Sequence, residues 1–127
     1  MKYQSPAIGN EISCVMHQIK NRVLKNNKKL EGILISGLKK DNFNILGKIS
    51  HEFNPHGYTI TILLSESHAA FHTYPEYNSL FFYLYSCRGS DDGRKTYEFV
   101  KKKLKPFYED FNERAIIVNN KFKSLNI

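Results

Sequence analysis

Two apolar runs on either side of a polar segment limit what this chain can fold into more than any other feature. Residues 58–64 and 80–84 are rich in β-branched and aromatic side chains, which favours strands. Between them, Pro75 excludes an ordinary helix through the residues that precede it. The intervening segment, 65–76, carries an unusual density of reactive groups. They are Ser65, Glu66, Ser67, His68, His72 and Glu76.

The rest of the chain predicts an α+β fold. Apolar residues recur with period two near both ends and with helical spacing in two other segments. Asn54-Pro55-His56-Gly57 is a turn signal between two strands. Because hairpins imply antiparallel pairing, we expect a two-layer sandwich with helices on one face of a mainly antiparallel sheet. The predicted strands are 11–18, 43–53, 58–65, the central segment, 79–87 and 115–118, and the predicted helices begin at 26–29 and at 93, the second ending near 108.

Length and composition limit the class of protein. The 127 residues fit one domain, 1–127, and 41% of them are hydrophobic, which is typical of a globular chain. No apolar run is long enough for a membrane span, and the N-terminus lacks a signal peptide, so we expect a cytoplasmic protein that does not bind membranes. The net charge is +7, and the lysine clusters predict solvated helix faces, not a nucleic-acid partner.

The central segment alone leaves three interpretations open. The first is a metal site, in which His68 and His72 are joined by Glu66, Glu76 or Cys87. The second is a structural strand whose histidines are satisfied by hydrogen bonds. The third is nucleophilic chemistry, because a hairpin can bring a serine, a histidine and a thiol together.

The arrangement of these residues resembles a known family. Ser65-Glu66-Ser67-His68, then His72-Thr73-Tyr74-Pro75-Glu76-Tyr77, then Cys87 is similar to the short bacterial and archaeal S-adenosylmethionine decarboxylase proenzymes. Phe53, Pro55, Gly57 and Thr59 also stand at the family's spacing. The resemblance is strong over residues 53–87.

The resemblance implies that the chain cleaves itself. Ser67 would attack the carbonyl of Glu66, with help from Thr59, and His72 would remove the α-proton of Ser67. The products would be chains 1–66 and 67–127, the second beginning with a pyruvoyl group made from Ser67. That group would form a Schiff base with the substrate and take up electrons during decarboxylation, so neither a metal nor pyridoxal phosphate would be needed.

The resemblance also implies the remaining roles. Cys87 would return a proton after carbon dioxide leaves. Substrate binding would involve Glu76 at the ribose, Phe53 at the adenine, Tyr74 and His68. The protein would be a homodimer with facing sheets, and it would decarboxylate S-adenosylmethionine, a small-molecule substrate, for spermidine and polyamine biosynthesis.

The chain departs from the family near its cysteine, where the family usually reads Asp-x-Phe-Thr-Cys-Gly. Here Tyr83, Ser86 and Arg88 replace the aspartate, threonine and glycine. These changes leave two alternatives open. One is the same chemistry on arginine or ornithine, and the other is an uncleaved, non-catalytic relative that serves as a binding subunit.

Overall fold

The chain folds into one six-stranded sheet with helices packed on one face. The computed structural model describes residues 3–119. All neighbouring strands are antiparallel, in the spatial order β2-β3-β4-β5-β1-β6. The strands are β1 (Ile8–His17), β2 (Ile45–Glu52), β3 (Tyr58–Leu64), β4 (Ser67–Tyr74), β5 (Ser79–Ser86) and β6 (Tyr108–Ile117), and the α-helices are α1 (Asn21–Leu24), α2 (Asn27–Lys40) and α3 (Arg94–Leu104).

Strand alternation separates the sheet into a covered face and an open face. The covered face contributes the buried side chains of the core, and α2 and α3 pack on it. Examples are Ile60, Phe71 and Phe82, which lie side by side on three neighbouring strands and are fully buried. The residues between them point to the other side, where none of the described helices packs. This second surface is called the open face below.

The open face carries three rows of side chains that run across the strands, as the pairing register shows. The first row is Leu63, His68, Tyr85, Glu11 and Arg114. The middle row is Ile49, Thr61, Ala70, Tyr83, Ser13 and Asn112. The third row is His51, Thr59, His72, Phe81, Val15 and Asp110.

The helices begin and end where local chemistry requires. The side chain of Asn26 caps α2 by accepting a hydrogen bond from the backbone N–H of Lys29 at 3.1 Å. Asp41 ends the same helix, and its carboxylate accepts hydrogen bonds from the backbone N–H and hydroxyl of Thr96 in α3, at 3.0 and 2.9 Å. The two helices are therefore tied together as one layer.

None of the described helices is long and apolar enough to cross a membrane.

The predicted α+β class is confirmed, and the two largest errors in the predicted boundaries concern α3 and β6. The predicted helix to 108 ends at Leu104, because Lys105 has a left-handed φ of 51° and Pro106 follows. The predicted last strand, 115–118, is β6 and begins at Tyr108. Its helix-side residues include Glu109 and Glu113, which bind side chains of α3, so the strand lacks apolar alternation.

The lysine clusters lie on the helical layer, away from the open face. Every lysine in the ranges 25–29, 39–40 and 101–105 is exposed. This placement fits the expectation of solvated helix faces.

Candidate active site

Ser67 begins β4 and lies next to the first residue after β5. Its side chain is buried, with 7% exposed. The backbone N–H of Cys87 donates to the hydroxyl oxygen of Ser67 at 3.3 Å and to the carbonyl oxygen of Glu66 at 3.2 Å. The Glu66–Ser67 peptide, the Ser67 hydroxyl and Cys87 therefore form one cluster, which we call the serine end.

His72 and Thr59 form a second cluster on the same pair of strands. They are directly opposite each other on β4 and β3, and Thr59 Oγ1 lies 3.2 Å from His72 Nδ1. On the other side, the His72 ring centroid is 6.1 Å from that of Phe81. Both side chains project from the open face, where His72 is half-buried. We call this cluster the histidine end.

The two ends are far apart within one chain. Ser67 and His72 are five residues apart on one strand, which at ~3.3 Å per residue is roughly 16 Å. An odd separation also places their side chains on opposite faces of the sheet. The expectation that serine, histidine and thiol meet is therefore wrong for His72 within one chain, and Ser67 contacts Cys87 through the backbone N–H of that residue.

The predicted substrate-binding residues divide between the two ends. Phe53 lines a cavity of about 410 Å³ beyond the histidine end and is 53% exposed, so it is not a core residue. Glu76 lies nearby, with Oε1 4.0 Å from Nε2 of His56. The exposed Tyr74 ends β4 on the same side.

His68 lies at the serine end, among aromatic rings. Its ring centroid is 5.6 Å from that of Tyr83 and 6.0 Å from that of Tyr85. Tyr83 donates its hydroxyl to Glu11 Oε2 at 2.6 Å, and Arg114 Nε donates to Glu11 Oε1 at 3.0 Å. These two hydrogen bonds lower the pKa of Glu11, so the carboxylate is ionised at neutral pH.

The two cysteines lie in different environments. Cys14 is in the core, and burial, with the nearby Glu109 carboxylate, raises its pKa to about 12. It is therefore an unreactive thiol at neutral pH. Cys87 is only partly buried and lies beside Ser67.

The metal interpretation required several ligands around the two histidines. Within residues 3–119, no three side chains of the metal-binding types come close enough to hold one ion. His68 and His72 lie in different rows of the open face, so they do not converge.

Comparison with known proteins gives the family. A family model described as S-adenosylmethionine decarboxylase matches residues 10–114, which include both clusters. The chain belongs to the S-adenosylmethionine decarboxylase family. It is accordingly a decarboxylase, and the predicted family resemblance is confirmed.

Individual relatives support this membership of the family. A chain named S-adenosylmethionine decarboxylase proenzyme from Sulfurihydrogenibium sp. (strain YO3AOP1) is 37% identical over 72% of this chain and 70% of its own length. A proenzyme of the same name from Archaeoglobus fulgidus is 26% identical over 78% of this chain and 88% of its own. The crystal structure of the Aquifex aeolicus adenosylmethionine decarboxylase matches with a TM-score of 0.77 at 20% identity, covering 87% of this chain and 90% of that one, and so shows the shared fold.

The departure from the family at Arg88 has a structural explanation. Its guanidinium donates to the backbone carbonyls of Asp41 and Asn42, at 2.8 and 3.0 Å, and so satisfies the end of α2. It also binds Asp92 at 2.7 Å and stacks 3.5 Å above the Phe43 ring. Arg88 thus faces the helical layer, not the candidate site.

The departure at Tyr83 brings in a residue that the sequence analysis missed. Tyr83 stands where the family has an aspartate, and its hydroxyl donates to Glu11 on the neighbouring strand β1, so a carboxylate lies beside Tyr83 on the open face. The signal was present in the sequence, because period two places Glu11 on the same side of β1 as Ser13 and Val15. Ser86, the third departure, is fully buried and hydrogen-bonds Asp92 through its hydroxyl.

Proposed function

We propose that this protein cleaves itself between Glu66 and Ser67 and then decarboxylates S-adenosylmethionine with the resulting pyruvoyl group. The observation that carries the proposal is the double hydrogen bond of the Cys87 N–H, to the Glu66 carbonyl oxygen and to the Ser67 hydroxyl. A donor on that carbonyl stabilises the negative charge that develops when a nucleophile attacks it. The attacking hydroxyl belongs to the very next residue.

The bond changes follow from this geometry. Ser67 Oγ bonds to the Glu66 carbonyl carbon, the peptide C–N bond breaks, and the hydroxyl proton moves to the freed nitrogen, leaving an ester. A base then removes the α-proton of Ser67, and the Glu66 carboxylate leaves with the ester oxygen. Addition of water and loss of ammonia convert the remaining dehydroalanine into the pyruvoyl group.

The base for the elimination step is His72, and it acts from a second copy of the chain. Within one chain His72 lies roughly 16 Å from Ser67 along the strand and on the other face, too far for proton transfer. The Thr59 hydroxyl hydrogen-bonds its Nδ1, which orients the ring. We therefore place the complete site between two protomers.

The open face supports a dimer of this kind. Large apolar side chains on this face are exposed, among them Ile49 at 75% and Leu63 at 55%. A two-fold axis that lies in the interface along the middle row, Thr61–Ala70–Tyr83, reverses the strand direction between facing copies. It lays the third row of one copy over the first row of the other. Because Ser67 and His72 lie on the same strand, His72 of the second copy then lies above the serine end of the first.

The same symmetry brings the binding residues to the serine end. The cavity beside Phe53 lies beyond the histidine end of its own chain, so in the dimer it flanks the serine end of the partner. Its volume of about 410 Å³ is in the range of small-molecule sites. In this arrangement Phe53 contacts the adenine, Glu76 accepts from the ribose hydroxyls, and Tyr74 and His68 line the space between.

The pyruvoyl group supplies the electron sink that decarboxylation requires. Cys87 then donates a proton to the substrate carbon that lost carbon dioxide. A free thiol in this role fits a reducing compartment, so we place the enzyme in the cytoplasm. The product would supply aminopropyl groups for polyamine biosynthesis.

A substrate panel tests the proposed specificity. Carbon dioxide release should be measured from S-adenosylmethionine, arginine and ornithine with the wild type and with Arg88→Gly. We expect release from S-adenosylmethionine alone in both proteins, because Arg88 faces the helical layer. Preferential release from arginine or ornithine by the wild type would overturn the proposed substrate, and a change of preference in Arg88→Gly would overturn the structural role of that residue.

A further inference from the structure

The side chain of Tyr85 lies on the open face beside Cys87, where the family pattern has phenylalanine. Its neighbour on β1 is a glycine that leaves room for the tyrosine hydroxyl. A Cβ on Gly9 would lie 2.7 Å from the Tyr85 hydroxyl oxygen and 2.8 Å from the Ser86 carbonyl oxygen. Any larger residue at position 9 would therefore displace the hydroxyl or the strand.

The hydroxyl is thereby held over the end of β1 that faces Cys87. Asn10 pairs with Ser86, so Gly9 comes opposite the next residue of that strand, which is Cys87. The ring is fixed on its other side by His68, with ring centroids 6.0 Å apart. Burial, and then the neighbouring Cys87 thiol, raises the pKa of Tyr85, and the hydroxyl is protonated at neutral pH.

We propose that Tyr85 is a positioning residue for Cys87: its hydroxyl, seated over Gly9, donates a hydrogen bond to the sulfur and orients the thiol on the open face. A sulfur that accepts from one side has its own S–H pointing to another. The inference deepens the proposed function and rests on it, because a directed proton matters only if Cys87 is the donor.

The contact can be tested on unprocessed protein, where turnover has no part. In a Ser67→Ala background, the rate of Cys87 alkylation by iodoacetamide is compared between Tyr85 and Tyr85→Phe at neutral pH, with the modified residue identified by peptide mass spectrometry. Without the hydrogen-bond donor, a smaller fraction of Cys87 is thiolate at neutral pH. Each thiolate is then more nucleophilic, which offsets part of this loss, so we expect the alkylation rate to fall about three-fold. Cys14 is a small background because it is buried with a raised pKa.

Tyr83→Phe in the same background is the matched control. It removes an identical hydroxyl two residues away on the same face, but that hydroxyl binds Glu11. We expect the Cys87 alkylation rate to stay unchanged in this control. An unchanged rate in Tyr85→Phe, or an equal decrease in Tyr83→Phe, would overturn the proposed contact.

Turnover of the cleaved enzyme gives a second readout. Tyr85→Phe should lower kcat several-fold and leave KM unchanged, because the hydroxyl acts on the proton donor and not on substrate binding. A rise in KM with kcat unchanged would contradict a positioning role. If the wild type neither cleaves nor turns over, the proposed function fails, while the alkylation rates still decide whether Tyr85 contacts Cys87.

Discussion

Producing the Ser67→Ala and His72→Ala variants together in one cell should restore a cleavage that neither variant shows alone. Ser67→Ala lacks the nucleophile, and His72→Ala lacks the base. In a mixed dimer, the chain that retains Ser67 faces the chain that retains His72. We expect chains of the His72→Ala variant to be cleaved after Glu66. The cleaved fraction should not exceed the fraction of these chains that is in mixed dimers.

Differently tagged chains and mass spectrometry make this measurement specific. Each tag reports which variant was cut, and only the His72→Ala chain should yield the fragment that begins at position 67. The control is each variant produced alone, where we expect uncleaved chains after the same time. Efficient cleavage of His72→Ala by itself, or no cleavage in the mixture despite mixed dimers, would contradict a site shared between protomers.

Replacing Cys87 by alanine should separate self-cleavage from decarboxylation. The backbone N–H of residue 87, which binds the Glu66 carbonyl and the Ser67 hydroxyl, remains in Cys87→Ala. We therefore expect cleavage to proceed. Removal of a general acid typically costs a factor of about 10²–10⁴ in rate, and we expect carbon dioxide release to fall within that range.

Cys14→Ala is the control for the loss of a thiol. Cys14 packs in the core, where its sulfur lies 3.6 Å from Glu109 Oε2, remote from the serine end. We expect this variant to lose some stability and to keep its turnover per folded molecule. Normal turnover in Cys87→Ala, measured on fully cleaved protein, would remove Cys87 from the mechanism.

Much of the fold could be predicted because its strands alternate strongly. The segment 58–64 alternates buried residues with half-buried or exposed ones, and the turn around Asn54 and Gly57 marks the hairpin before it. β6 could not be predicted in full, since its helix-side positions are filled by Glu109 and Glu113. Their partners, Tyr97 and Arg94, lie on α3, and sequence periodicity does not reveal such long-range polar pairs.

The residues of the candidate site could be predicted more fully than its arrangement. Motif spacing singled out Ser67, His72 and Cys87, and the structure brings only Ser67 and Cys87 together. The separation of Ser67 from His72 was readable in principle, because five residues along a strand change the face. Glu11, Tyr85 and Gly9 were missed, since their importance depends on β1 pairing with β5 across a long stretch of sequence.

The mass of the purified wild-type protein, measured under denaturing conditions, shows whether the bond between Glu66 and Ser67 has been cut. We expect two chains, residues 1–66 and a second chain from position 67 that is lighter by one ammonia than the same chain beginning with serine. Ser67→Ala, purified alongside, should remain one chain. A wild type that stays unbroken, or that yields a fragment beginning with an unmodified serine, would contradict self-cleavage to a pyruvoyl enzyme.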